Sequence, residues 1–330
     1  MKFILPTGIG DSVWALHKIE AIRDALAPGE LIDVYLIGGV HHIDSRAVDF
    51  VRRFKFVNKV DVRQFSIRLD PEIRADGTYN YLPDGRYTFV GEDYVLLIPN
   101  ETLERGERLE NWLPHYPIRW DIWQDFEITA KEREYGEAIA QRVGPFAVFY
   151  PGPLAGNTVD GHNRGPLWRP EDWVALGERV YHDLGLRIVA VGATYDEAYW
   201  YNILYPALKG KSWYWDSLVG LTNLGELWSV TSLARFVIGY QAGVGIISTY
   251  LGTPTGIFWR PHGNSINPER YLTFDERMAS AWVPPKYIEN GNHLPLIYGR
   301  HGVPYVMEQV ARRGWAAPRP VGDPIVSTSP

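Results

Sequence analysis

The stretch Arg235-Phe236-Val237-Ile238-Gly239-Tyr240-Gln241-Ala242-Gly243-Val244-Gly245-Ile246-Ile247-Ser248-Thr249-Tyr250-Leu251-Gly252-Thr253-Pro254 changes character twice. Arg235–Gly239 reads as a short buried strand, Tyr240–Gly245 as a loop, and Ile246–Leu251 as a short helix; Pro254–Trp259 resumes as a strand. Small residues at Ala242, Gly243 and Gly245 let a ligand come close to the backbone. The helix that follows aims free N–H groups and a positive dipole end at an anion, so a diphosphate fits there. The same glycines also serve a plain connection between strand and helix, and both readings stand at this point.

Working outward, the same alternation runs through most of the chain. Strands are expected at Lys2–Leu5, Leu31–Ile37 and Phe56–Val60, with helices at Asp11–Leu26 (amphipathic) and Ser45–Phe54 between them. Thr78–Leu82 and Tyr87–Val90 flank Pro83-Asp84-Gly85-Arg86 as a hairpin, and Tyr94–Ile98 follows as a strand. Helix Lys131–Val143 opens on a capping box, Thr129 with Glu132. A second series starts with strand Phe146–Tyr150 and a loop rich in Pro, Gly and Asn, then helix Pro170–Leu184 and strand Leu186–Val191. Helix Asn223–Leu233 and the opening stretch close that series. Repeated strand–helix–strand order implies an α/β protein with parallel sheets and right-handed crossovers.

The chain has 330 residues, enough for two domains of roughly 150 residues. The boundaries expected are 1–143 and 144–300, one α/β domain each. Residues 301–315 are expected as a C-terminal helix packing back on the first domain, and 316–330 as a flexible tail. Ligands in such folds sit at the carboxyl ends of strands, and here between the two lobes.

Apolar residues make up 45% and charged residues 22%, the profile of a soluble globular protein, and the net charge of −6 argues against non-specific coating of nucleic acid or membranes. The absence of cysteine excludes disulfides, thiolate metal sites and cysteine nucleophiles. No apolar run reaches the ~18 residues of a membrane span, so a cytoplasmic protein with no integral membrane segment is expected. The 13 Trp and 20 Tyr exceed the needs of a core, and some of these rings are expected to line a cleft and stack on a sugar or base.

Pro6-Thr7-Gly8-Ile9-Gly10-Asp11-Ser12 joins the first strand to the first helix. It fails as a dinucleotide fingerprint, because Val13 holds the third glycine position. The second strand also ends Ile37-Gly38-Gly39, with no acid for a ribose, which disfavours a nicotinamide-linked oxidoreductase. Either Asp11 or Ser12 caps the helix, or the loop brings a carboxylate into the cleft. In the loop Pro151–Arg169, Gly152, Gly156, Gly161 and Gly165 suggest a ligand-shaped surface, and Arg164 and Arg169 are either phosphate clamps or ordinary solvated arginines. His162 reads as a loop histidine. His41-His42-Ile43-Asp44 is a poor metal site, since adjacent histidines do not easily face one ion. Arg46, Arg52, Arg53, Lys55, Lys59, Arg63 and Arg68 make a locally basic stretch, either a solvated face or a surface for an anionic acceptor.

Several of these segments resemble the heptosyltransferase family, glycosyltransferase family 9. Leu167-Trp168-Arg169-Pro170-Glu171-Asp172-Trp173 is similar to its Trp-Pro-x-Glu-x-(Trp/Phe), and Leu218-Val219-Gly220-Leu221-Thr222-Asn223-Leu224-Gly225-Glu226-Leu227 to its Leu-x-Gly-x-(Thr/Ser)-(Ser/Asn)-Leu-x-Glu-Leu. Phe236–Gly243 resembles its Val-(Ile/Val)-Gly-x-Asp-(Ser/Thr)-Gly, Leu251-Gly252-Thr253-Pro254 its Leu-Gly-Thr-Pro, and Gly10-Asp11 its first-helix Gly-Asp. The resemblance implies a GT-B fold of two Rossmann-like domains facing each other across a cleft, with 1–143 binding the acceptor and 144–300 the nucleotide sugar. It also implies a metal-independent inverting transfer, without a cofactor, from a nucleotide-diphosphate sugar. Asp11 would be the general base, with Gly8, Gly10 and Ser12 toward the acceptor. Gly152, Arg164, Arg169, Gln241, Ala242, Gly243, Val244 and Gly245 would hold the donor. Gln241 stands where the family has Asp, Ile246 where it has His, and the family's lysine before Trp-Pro has no counterpart. The expected acceptor is an anionic glycan or a hydroxymethylated base of phage-type DNA, with Trp112, Trp120, Trp123, Trp213 and Trp215 available to a flipped base. A nucleotide-sugar-binding protein without catalysis is the alternative that Gln241 and Ile246 suggest.

Overall fold

The computed structural model describes residues 1–6, 8–37, 45–63, 79–81, 87–90, 94–97, 108–152, 168–259, 279–280, 283–297 and 300–318. The chain divides into two units, Met1–Glu127 and Ile128–Pro330.

In the first unit, β1 (Lys2–Pro6), β2 (Ile32–Ile37), β3 (Val57–Arg63) and β6 (Tyr94–Leu97) run parallel, and β4 (Tyr79–Tyr81) and β5 (Tyr87–Val90) complete the sheet in the order β3-β2-β1-β6-β5-β4. β4 and β5 pair antiparallel, with Tyr81 opposite Thr88, as the hairpin reading expects; its turn lies outside the described residues. Helix α1 (Ile9–Leu26) follows β1, and α2 (Ser45–Arg52) follows β2. The amphipathic reading of α1 is corrected, because Ser12 to Ile22 are buried on every face of the helix. Its polar side chains are buried with partners. Lys18 donates to the carbonyls of Leu113 and Tyr116, Glu20 meets Arg119 at 3.6 Å, and His17 accepts from Trp123.

The second unit opens with α3 (Ala130–Val143), whose Thr129–Glu132 capping box is present as expected. Its strands are β7 (Phe146–Tyr150), β8 (Arg187–Ala190), β9 (Tyr214–Ser217), β10 (Val237–Tyr240), β11 (Thr255–Trp259) and β12 (His293–Ile297), all parallel in the order β12-β11-β10-β7-β8-β9. The central strands β7, β10 and β11 are buried along their whole length, as an apolar run covered on both faces should be. Helices α4 (Pro170–Leu184), α5 (Leu224–Leu233), α6 (Gly243–Tyr250), α7 (Pro285–Glu289) and α8 (Val303–Arg312) accompany them, with a further helical stretch over 197–208 between β8 and β9.

The expected boundary between the two domains is corrected. α3 belongs to the second unit, because it packs closely on α5, so the division falls before Ile128 rather than after Val143. The C-terminal helix α8 packs on α4 and buries Val306, Met307 and Val310 in the second unit's own core. The expected tail from 319 onward lies outside the described residues. Among the described residues no helix is long and apolar enough to cross a membrane.

Candidate functional site

From β7 the second unit builds outward through β8 to β9, and the chain then crosses back to lay β10, β11 and β12 on the other side of β7. Neighbouring strands whose connections leave in opposite directions open a crevice at their carboxyl ends. Here those strands are β7 and β10, with Tyr150 beside Gly239 in register. Glycine is required at 239, since a Cβ there would lie 2.7 Å from the Tyr150 Cβ and 2.9 Å from its carbonyl oxygen. Pro151-Gly152 leaves one lip of the crevice and Gln241-Ala242-Gly243 the other. The fold thus brings together two groups of candidate residues 89 apart in sequence (241 less 152).

Helix α6 begins at Gly243, earlier than the expected Ile246, so both glycines fall in its first turn. Its N-cap is Ala242, in extended conformation (φ −157°, ψ 168°), with no side-chain cap and no acidic residue in the first turn. The first helical bond runs from Ile246 N–H to the Ala242 carbonyl. The N–H groups of Gly243, Val244 and Gly245 precede it and are left over by the helix, a ready cradle for an anion at the positive dipole end. Gln241 is half-buried and is anchored through its own N–H on the Phe258 carbonyl at 3.1 Å. Gly245 also has a packing role. A Cβ there would lie 3.2 Å from the Ile257 side chain, so its lack of a side chain seats α6 on β11. Ile246 is buried in the same contact layer.

Arg169 occupies the N-cap of α4, which follows β7 and therefore starts at the same sheet edge. Its guanidinium is 77% exposed, held only loosely by Asp172 at 3.9 Å. Behind it the Trp-Pro-like segment is anchored in the core. Trp168 Nε1 donates to the His301 carbonyl, while the Tyr240 hydroxyl donates to the Trp168 carbonyl and accepts from Trp173 Nε1. Burial raises the Tyr240 hydroxyl well above the ordinary tyrosine range, which keeps it a donor. Arg164, His162, Gly156, Gly161 and Gly165 lie outside the described residues, as do His41-His42-Ile43-Asp44.

In the first unit α1 starts after Gly8, an exposed N-cap with no side-chain hydrogen bond. The reading in which Asp11 or Ser12 caps the helix is therefore set aside. Gly10 and Asp11 are the second and third helical residues, at the carboxyl end of β1. Ser12 is corrected as an acceptor contact, because its side chain is wholly buried one turn into the helix.

Three solved structures are similar over nearly the whole chain. They are the E. coli ADP-heptose lps heptosyltransferase II (TM-score 0.57, 14% identity, 94% of this chain and 97% of that one), the glycosyl transferase family 9 protein of Veillonella parvula (0.54, 13%, 95% and 95%) and the E. coli heptosyltransferase WaaC with ADP (0.54, 14%, 95% and 100%). The fold is GT-B. No protein-family model matches the chain, and no curated protein matches it in sequence.

Within this GT-B chain several aromatic residues expected at a cleft are core instead. Trp112 and Trp213 are fully enclosed, and Trp123 packs among Phe50, Phe54 and Phe126. Trp215 is half-buried on the edge strand β9 under the Arg142 guanidinium. The basic stretch is partly neutralised at close range: Arg53 pairs with Asp49 at 3.0 Å and Lys59 with Asp61 at 3.8 Å. Arg68 lies outside the described residues. One group went unread in the sequence. Asp196, six residues past β8, is buried and accepts from the Tyr150 hydroxyl and the Ala193 N–H.

Proposed function

We propose that this protein is an inverting, metal-independent glycosyltransferase that takes its sugar from a nucleotide-diphosphate donor. The uncapped start of α6 at the β7/β10 switch point carries this reading. It presents unused N–H groups and small residues where a diphosphate needs close backbone contact. The GT-B fold supports it, and the three similar structures are glycosyltransferases by name, one holding ADP.

In this reading the diphosphate lies on Ala242–Gly245, with Gly152 at the opposite lip and the exposed Arg169, joined by Arg164, neutralising charge on the leaving group. Gln241 bonds a sugar hydroxyl. Asp11, assisted by the adjacent Gly8 and Gly10 backbone, removes the proton from the acceptor hydroxyl as its oxygen bonds the anomeric carbon. The bond from that carbon to the phosphate oxygen breaks, and the nucleoside diphosphate leaves with the electron pair. The acceptor is an anionic glycan or a hydroxymethylated base in DNA.

A thermal-shift panel of nucleoside diphosphates and nucleotide sugars tests the donor half. A ligand at a hundred times its Kd adds about 2.7 kcal/mol of apparent stability, so the true donor stands out. Asp11→Asn keeps that shift and loses turnover by ~100-fold or more. A panel with no shift overturns the reading. A shift without turnover in the unaltered chain favours a binding protein. DNA that fails to bind even at low salt removes the DNA acceptor.

A further inference from the structure

We propose that Asp196 is a positioning residue of the donor site: its buried carboxylate ties the exits of β7 and β8 together and holds the Gly152 lip in place. The inference rests on the donor reading given above. Its observations are separate from the α6 cradle.

Asp196 is 2% exposed. Its Oδ2 accepts from the Ala193 N–H at 2.8 Å and from the Tyr150 hydroxyl at 3.2 Å. Ala193 lies three residues past the end of β8, and Tyr150 is the last residue of β7. One carboxylate oxygen thus bridges two neighbouring strand exits that are 43 residues apart (193 less 150).

The carboxylate also lies against the backbone of the two glycines that follow these strands. A Cβ on Gly152 would be 2.7 Å from Asp196 Cγ and Oδ1, and one on Gly192 would be 3.2 Å from Oδ2. The absence of a side chain at 152 is therefore explained by Asp196, which packs where that side chain would go. Gly192 in turn accepts at its carbonyl from Gly220 N–H at 3.0 Å, which links the exit of β9 to the same knot. Burial, and after it the Asp196 charge, raises the Tyr150 hydroxyl well above the ordinary tyrosine range, so it remains a donor wherever the carboxylate is charged. The effect of this knot on a sugar donor passes through the placement of Pro151-Gly152.

The test compares Asp196→Ala, Asp196→Asn and Tyr150→Phe with the unaltered chain. Calorimetry with ADP, UDP, GDP and CDP gives Kd below every variant's melting range, and thermal midpoints are taken in parallel. Asp196→Ala weakens the best nucleoside diphosphate tenfold or more. Asp196→Asn, whose amide oxygen still accepts both bonds, stays within threefold, and Tyr150→Phe falls between them. Should Asp196→Ala fail to fold, Tyr150→Phe and Gly152→Ala carry the test, since both disturb the knot and each is expected to weaken binding threefold or more. Unchanged Kd with a lowered midpoint overturns the inference and makes Asp196 a stability residue only. Equal losses in Asp196→Asn and Asp196→Ala also overturn it, because charge rather than bonding geometry would then be responsible. If the unaltered chain binds none of the four nucleotides, the donor reading falls and takes this inference with it.

Discussion

His293 opens β12 with its ring enclosed beside Trp259 and 1% exposed. Desolvation, with the Arg313 charge adding to it, lowers its pKa to about 3. The Arg313 guanidinium is fixed there by donating to the carbonyls of Gly291 and His293. Between that value and the ordinary 6.5 the unfolded chain binds a proton that the folded chain refuses, so stability rises with pH across this window and levels off above it. At pH 5 the cost of this one histidine is about 2 kcal/mol relative to pH 7.5. Urea unfolding at the two pH values measures it, and His293→Phe should remove that part of the difference. A His293→Phe variant with the same pH dependence as the unaltered chain would show that other groups are responsible.

Between elements, the closest helix contact in the second unit is α3 on α5. It depends on two glycines. A Cβ on Gly136 would run into the Ser229 side chain and lie 2.8 Å from the Ser229 backbone carbon, and one on Gly225 would run into the Glu132 carboxylate that completes the α3 capping box. Gly136→Ala should therefore destabilise by about 1–3 kcal/mol through overpacking, despite the better helix propensity of alanine. Gln141→Ala on the exposed face of the same helix should change stability by less than about 0.5 kcal/mol; chemical denaturation of both variants checks the contrast. This contact also explains why the expected domain boundary came too late, since periodicity shows α3 as a helix but not the surface it packs on. The strands that pattern reading missed, β9 and β12, are the two edges of the second sheet. Tyr214-Trp215-Asp216-Ser217 is half exposed, and His293-Leu294-Pro295-Leu296-Ile297 contains a proline that only an edge strand readily tolerates. The buried central strands were legible because they are continuous apolar runs. At the site, the glycines and Gln241 were legible from local pattern. Asp196 was not, because its meaning lies in Tyr150, 46 residues away.

At the scale of the whole chain, the second unit holds both lips of the candidate donor crevice and the entire sheet that shapes them. Its hydrophobic core draws on residues from Ile139 to Trp315, including the C-terminal helix α8 and Trp315, whose indole donates to the Gly291 carbonyl at 2.9 Å. A unit of this size, with its own hydrophobic core and its own parallel sheet, meets the requirements for independent folding. A chain spanning Ile128–Pro330 is therefore expected to unfold cooperatively and to bind the same nucleoside diphosphate within about threefold of the full protein. On the proposed mechanism it transfers no sugar, because the proposed base Asp11 is absent from it. Circular dichroism melts, calorimetry and a transfer assay on this fragment read the three properties separately. A folded fragment that binds no nucleotide would move the donor contacts out of the β7/β10 crevice, whereas a binding fragment without turnover agrees with the proposal that Ile128–Pro330 recognises the leaving group and that Asp11 removes the proton.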